Sequence, residues 1–344
     1  MKLNWKSILG ALTLTFMTSH AVAKTELNVY AWGGYIPTDA IKRFEQQQNV
    51  VVNYSTFENN ESMYTKMKLV KGQGYDVVFA SAYFIQKLAR ENLVAKLDHQ
   101  LLPNMHDSME GLLNQAHDPN NQYSLPYIWG ITGISYNSAF VEKPLTKWAD
   151  LWSSDFEQQV MLIDDVRDVF GMTLKMLGYS ANSTNPDEIE QAYQALVQLQ
   201  NNIVVYNSDA PQVPYISGEV TAGMQWNGNA YQGMSEMPEL AYIFPEEGPV
   251  MWMDNMLISA GSTNPTLAHA FINHMYTPQV QAEIVQTLGY ASATNGGKAL
   301  LPNELKNNAV IYPAQNLIAK GEFTVEVDEK TLALYQSYWQ RLRL

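Results

Sequence analysis

Between Leu27 and Ala80 the chain alternates strand and helix signals, and this alternation limits its fold more than any other feature. Leu27 to Ala31 reads as a strand, and Thr38 can cap a helix whose apolar positions Ala40, Ile41 and Phe44 share a face. Val50 to Tyr54 is a second strand, Glu61 to Val70 a second helix, and Tyr75-Asp-Val-Val-Phe-Ala80 a third, continuously apolar strand. Parallel strands need a crossover, which helices supply, so this order predicts a parallel sheet covered on both faces. Ligands of such sheets lie outside the carboxyl ends of the strands. Trp32-Gly-Gly-Tyr35 and Ser81-Ala-Tyr83, which follow the first and third strands, are therefore candidate ligand loops.

A second α/β block follows the strand-like segment Ile128 to Tyr136. It contains the stretch Met161-Leu-Ile-Asp-Asp-Val-Arg-Asp-Val-Phe170, a helix from Pro186 to Leu199, a strand from Ile203 to Tyr206 and an apolar approach to Trp226. Val250 to Ile258 is a further apolar segment, followed by helical patterns at Thr266 to Met275 and Pro278 to Thr287. The length of 344 residues predicts two domains, at roughly 150 residues each. With no flexible linker between them, the chain is expected to cross from one to the other more than once.

Residues 1–23 read as an export signal: Lys2 and Lys6, an apolar middle from Ile8 to Met17, and Ala21-Val22-Ala23 as the cleavage site. The mature chain is then expected to begin at Lys24 and to be soluble in the periplasm. There is no cysteine, hence no disulfide framework and no lipid-attachment cysteine. The formal net charge of −13 becomes more negative once Lys2 and Lys6 are removed, which makes nucleic acid a poor partner and a small cation a plausible one.

The stretch 161–170 holds three aspartates within an apolar frame, and buried carboxylates need a cation. In the plain alternative, Asp164 or Asp165 caps a helix through Phe170 and Asp168 adds charge to its first turn. Asp165 and Asp168, three apart, would share a helical face as a two-carboxylate platform, while Arg167 points elsewhere. In Met251-Trp-Met-Asp-Asn255, strand alternation puts Trp252 and Asp254 on one side. Trp226 precedes Asn227-Gly228, which reads as a loop, and further aromatics stand at Trp32, Tyr35, Tyr83 and Tyr290. For Trp226 and Trp252 the bland reading is core packing.

Acids alone would suit calcium, but acids with this many indole and phenol rings suit an organic cation better. The amines of a polyamine, with pKa values near or above ~10.4, are charged at neutral pH and need carboxylates at intervals. Aromatic faces cover the methylene links and attract the adjacent charge. Catalytic patterns are missing: the histidines are scattered, and there is no H-E-x-x-H, no G-x-S-x-G and no phosphate-loop spacing at Gly296-Gly297-Lys298. No catalytic residue, metal ligand or cofactor is therefore assigned; an exported hydrolase using paired carboxylates is the enzymatic alternative.

Over most of its length the chain resembles the periplasmic polyamine-binding proteins of ABC importers, the spermidine/putrescine type in particular. The matching segments include Val29-Tyr-Ala-Trp-Gly-Gly-Tyr-Ile-Pro37, Tyr54 to Tyr64, Leu125-Pro-Tyr-Ile-Trp-Gly130, Lys147 to Trp152, Asp164 to Phe170, Met224-Gln-Trp-Asn-Gly228 and Trp252-Met-Asp254. The resemblance implies an α/β, two-lobed type II periplasmic-binding fold with the ligand cleft between the lobes. It implies residues 24–131 plus 253–298 in lobe 1 and 132–252 plus 299–344 in lobe 2. It also implies a monomer that hands its polyamine to an inner-membrane ABC permease.

Residue by residue, Asp165 resembles the acid at the central amine, and Asp168 and Asp254 those at one terminal amine. Trp252, Trp226, Tyr35 and Tyr290 resemble the cage walls, and Trp32, Ser81 and Tyr83 the other end. Asp168 stands where the family usually has Glu, and two further sites depart from the family pattern. Gly33-Gly34 stands where the spermidine binder has Thr-Glu, and Thr324 where it has Gln. Some relatives of this kind report polyamine levels, norspermidine in particular, to a membrane sensor that controls cyclic-di-GMP. That signalling role is the alternative to transport.

Overall fold

The computed structural model describes residues 24–343, so the expected export signal lies outside the described residues. The predicted βαβαβ unit is present. The strand Thr25–Trp32 pairs in parallel with Val50–Phe57 on one side and Val77–Ser81 on the other, with the helices Thr38–Gln48 and Asn60–Val70 between them. Both faces of this sheet are packed, since Leu27, Val29 and Ala31 enter one apolar cluster while Tyr30, Val78 and Ala80 enter another. Thr38 is not a cap; Pro37 holds that position and Thr38 opens the helix. The second helix is capped by Asn59, whose side chain accepts from Ser62 N at 2.9 Å, and starts one residue earlier than expected.

Two long strands tie this half to the next. Val250–Ser259 runs antiparallel to Val77–Ser81 and also to Ser124–Asn137, whose far end pairs antiparallel with Ala222–Trp226. Val160–Leu162 then lies parallel to Ala222–Trp226 and to Ile203–Tyr206. The sheet path thus joins a parallel group from each half through two antiparallel strands. Gly130 makes the tie possible, because a Cβ there would come within 2.2 Å of the Trp252 ring.

The halves have separate cores. One is built on Phe44, Phe79, Tyr127, Met256 and Phe271, the other on Trp148, Leu162, Phe170, Leu196 and Tyr335. Fully burying such side chains contributes about 1.5–3 kcal/mol each. Ile128 and Ile131 belong to the first core and Ile134 and Tyr136 to the second, so one strand changes allegiance midway. Leu301, Leu305 and Ile311 pack with the first core. The result is the expected mixed α/β, two-lobed fold, and no helix among the described residues is long and apolar enough to cross a membrane.

Candidate functional site

Strand ends from both lobes point into one space. Trp32 closes its strand, Ser81 ends Val77–Ser81, Asp165 and Asp168 follow Val160–Leu162, and Trp226 ends Ala222–Trp226. These side chains, with Tyr35, Tyr83, Trp252, Asp254, Tyr290 and Thr324, line a single cavity of about 250 Å³. Every side chain singled out from the sequence is therefore on its wall. The volume is at the small end of the ~300–1,000 Å³ usual for ligand pockets and suits a slender ligand.

Asp254 lies on Val250–Ser259 directly across from Ser81. One of its oxygens accepts from Ser81 Oγ at 2.6 Å and the other from the Tyr35 hydroxyl, so Ser81 serves Asp254 itself and not the other end of the cleft as the resemblance implied, because the strand pairing sets the two side by side. Ser81 is in turn held by Asn60, whose Nδ2 donates to Ser81 Oγ at 3.0 Å and to the Tyr83 hydroxyl at 3.1 Å. Strand alternation delivers Trp252 and Asp254 to the cavity as predicted, with Met253 between them in the core.

On the opposite lobe Asp165 is the N-cap of the helix Val166–Met176, its Oδ1 accepting from Arg167 N at 2.8 Å and Asp168 N at 3.0 Å. The pair does not share a helical face, because Asp165 stands just outside the helix; the cap itself brings the two acids together at the cavity. Asp164 is no cap: it is half-exposed and paired with Arg343. Asp168 accepts from Trp226 Nε1 at 2.7 Å and Thr132 Oγ1 at 3.1 Å. Arg167 lines the same cavity and its charge offsets part of the rise that burial gives the Asp165 carboxyl, but among the described residues it forms no ion pair with the platform; its guanidinium donates to Val325 O at 3.1 Å and Asn182 Oδ1 at 3.0 Å.

No ion pair among the described residues includes Asp165, Asp168 or Asp254. Asp168 and Asp254 are each only 6% exposed. Burial, opposed by the Ser81 and Tyr35 hydrogen bonds, pushes the Asp254 carboxyl up to about 6. Burial also raises Asp168, with the charge of Asp165 as second cause, and it raises Asp165 against the two backbone donors of its cap. Two buried carboxylates and the half-buried Asp165, none of them in an ion pair among the described residues, form a site that a cation would stabilise.

The aromatic walls stand edge to face. Trp252 and Tyr290 are 5.0 Å apart between ring centroids at 81°, and Trp226 and Trp252 6.4 Å apart at 72°. Trp32 packs on Tyr35 at 5.0 Å. Tyr290 is oriented by its hydroxyl, which donates to Asn229 Oδ1 at 2.6 Å. Asn227-Gly228 is not a loop but the first turn of the helix Asn227–Glu236. The glycine is needed there for packing, since a Cβ would lie 2.4 Å from the Tyr290 ring.

Thr324, 5% exposed, is tied by its N–H to Met251 O at 2.8 Å and leaves little polar reach into the cavity. Gly33 and Gly34, also on the cavity wall, are exposed, and a Cβ on Gly34 would meet nothing within 4 Å. Asn60, Thr132 and Asn229 position the acids and rings but were not legible in the sequence, where each is an ordinary polar residue. Groups of three or more metal-ligating side chains able to hold an ion do not occur among the described residues. The chemistry is that of hydrogen-bonded carboxylates between aromatic faces.

A two-lobed α/β fold with such a cleft defines a class, the solute receptors, and the comparisons agree. Residues 39–311 match the family described as bacterial extracellular solute-binding protein, and the chain belongs to that family. Such proteins bind and deliver solutes; they are not enzymes. The resemblance noted from sequence holds for named relatives. The chain is 40% identical, over 97% of its length and 96% of the relative's, to the spermidine/putrescine-binding periplasmic protein of Salmonella typhimurium. It is 38% identical, with the same coverage, to that of Escherichia coli. A putrescine/cadaverine-binding protein of Pseudomonas aeruginosa is 27% identical over 98% of the chain and 99% of its own length. Among solved structures, the spermidine/putrescine ABC transporter substrate-binding protein of Streptococcus pneumoniae superposes with a TM-score of 0.81 at 33% identity, covering 93% of this chain and 99% of that one.

Proposed function

We propose that this protein is a periplasmic receptor that binds a linear polyamine, spermidine, putrescine or norspermidine, between its lobes and delivers it to an inner-membrane ABC importer. The observation that carries the reading is the convergence of Asp165, Asp168 and Asp254 with Trp226 and Trp252 in one cavity, with no lysine or arginine of the described residues paired to the acids. A polyamine supplies the missing cations, each ammonium a donor of up to three hydrogen bonds, and its methylenes fit against the rings.

In this reading lobe 1 takes 24–131 plus 253–298 and lobe 2 takes 132–252 plus 299–344, with the packing of Leu301 to Ile311 extending the first core past residue 298. Asp254, Ser81, Tyr35, Trp32, Tyr83, Trp252 and Tyr290 come from lobe 1 or its crossing strand, and Asp165, Asp168, Trp226 and Thr324 from lobe 2. A ligand touching both lobes shifts the population toward the closed form. The receptor acts as a monomer without a cofactor. Transport is favoured over sensing because the similar Streptococcus pneumoniae structure is that of an ABC transporter substrate-binding protein. Calorimetry with putrescine, spermidine and norspermidine at neutral pH tests it: saturable binding of at least one is expected, and no heat with any of them rejects the polyamine reading.

A further inference from the structure

The helix Ala82–Arg90 begins at the cavity with Tyr83, but its last two turns lie off the cavity wall and have no role in the site described above. Phe84, Ile85 and Leu88 pack with Tyr30, Met63 and Val78, which makes the helix part of the first lobe. Tyr83, Lys87 and Arg90, four and three residues apart, share a second face. Each of them meets a side chain of the other lobe. The Arg167 guanidinium lies 5.7 Å from the Tyr83 ring centre, Lys87 Nζ lies 3.1 Å from a Glu329 oxygen, and Arg90 holds Glu326 with both terminal nitrogens, one of them at 2.9 Å. Val166 and Phe170, near Arg167, and Val327, between the two glutamates, belong to the second core. The crevice left between the two surfaces measures only about 20 Å³, room for about one water.

An isolated surface ion pair contributes little, because solvent screens it and two long side chains must be ordered. The Arg90–Glu326 pair has the two-pronged geometry that stands out among such pairs, and the Glu326 side chain is only 16% exposed. Lys87, whose side chain is 14% exposed, is shared between Glu91 at the end of its own helix, at 3.2 Å, and Glu329 of the other lobe. Should the lobes part, Lys87 keeps Glu91, and Arg167 keeps Val325, Asn182 and the Tyr335 ring at 5.3 Å. Among the described residues Arg90 and Glu326 have no ion pair except with each other. Separation therefore costs this pair most and its neighbours little.

We propose that this seam is an interlobe clasp, carried chiefly by Arg90 and Glu326, that favours the closed form of the receptor and so sets part of its ligand affinity from outside the site. Lys87, Arg90, Glu326 and Glu329 are not on the cavity wall, so they do not touch a ligand held there. A ligand that needs both lobes binds with an affinity scaled by the fraction of receptor that is closed, and a contact made only in that form raises the fraction. The inference goes beyond the polyamine reading and uses it only for the choice of probe.

The test is a charge swap: Arg90→Glu, Glu326→Arg and the double variant, measured by calorimetry with spermidine. Each single variant sets like charges face to face and is expected to weaken binding by about fivefold or more, while the double variant returns to within about twofold of the wild type. A change in the protein's overall field acts otherwise, since Arg90→Glu alone would then tighten the binding of a cation. Such tightening, affinities within about twofold of wild type in both single variants, or a double variant no tighter than the singles overturns the proposal. A seam that persists in the open form gives the second of these results. Should a single variant fail to fold, Arg90→Gln replaces the swap: weaker binding supports the clasp, and equal or tighter binding overturns it. If the wild type takes up no spermidine, the polyamine reading fails and small-angle scattering of the empty proteins decides. A larger radius in the single variants, restored in the double, supports the clasp, and equal radii overturn it.

Discussion

In one part of the cavity wall Asp254 is fixed by Ser81 and Tyr35, and Asp168 by Trp226 and Thr132, while in another Gly33 and Gly34 stand exposed with open space beside Gly34. In the first part oriented groups are themselves held by second ones, as Ser81 is by Asn60, and the Tyr290 wall is held likewise by Asn229. The glycine stretch has backbone and room but no such support. Pre-organised donors and acceptors lose little freedom when a ligand arrives, so recognition energy concentrates where the groups are already placed. The difference teaches where a cation would find pre-organised acceptors, at Asp254 and Asp168, and where the wall imposes little, at the glycines.

The largest effect should follow from breaking the built part. Asp254→Asn removes the charge but keeps the shape, and is expected to weaken polyamine binding by about tenfold to a hundredfold, or 1.5–3 kcal/mol, by calorimetry. The same variant tests the pH dependence. With a carboxyl that titrates near 6 in the empty site, the ligand must displace a proton as the pH falls, so affinity should drop from pH 8 to pH 5. In the ligand-free protein the sign is opposite. A raised folded-state value means that protonated Asp254 stabilises the fold below the ordinary carboxylate range, and this stability is lost as the pH rises through about 6. Asp254→Asn should flatten both slopes; slopes that persist unchanged would assign them to other groups.

Asp165 gives an intermediate test because it serves two purposes. Asn caps a helix as well as Asp, so Asp165→Asn should hold thermal stability while lowering affinity by about tenfold. Asp165→Ala should lose affinity and also about 0.5–2 kcal/mol of stability, read by denaturant titration. Equal affinity in wild type and Asp165→Asn would make the residue a cap alone. The smallest effect belongs to the glycine stretch. Gly34 has φ +66°, so Gly34→Ala should destabilise by about 1 kcal/mol and change affinity less than about twofold, since its Cβ enters open space. A large loss of affinity there would show that this stretch is also read closely.

Much of the fold was legible because its signals are local. The apolar run ending at Ala80 and the amphipathic helix beginning near Thr38 carry their structure in their own periodicity, and a strand–helix–strand order admits few topologies. The site residues were legible by type, since aspartates in an apolar frame and tryptophans two residues from an acid are unusual company. The misreadings came where a tertiary neighbour decided. Asn227-Gly228 looks like a turn, yet Gly228 serves the Tyr290 ring and Asn227 takes its partners from Ile131 and Val310.

By itself the sequence determined which residue types are present to meet a cation and which strand ends carry them, because side-chain chemistry and hydrophobic period depend on nothing else. Only the tertiary structure decided that the Arg167 guanidinium donates to Val325 and Asn182, that Asp165 rather than Asp164 caps the helix, and that Ser81 and Tyr35 both reach Asp254. Charge compensation depends on distances of a few ångströms between residues far apart in the chain. Those distances are set by how the two lobes pack, which no local pattern records.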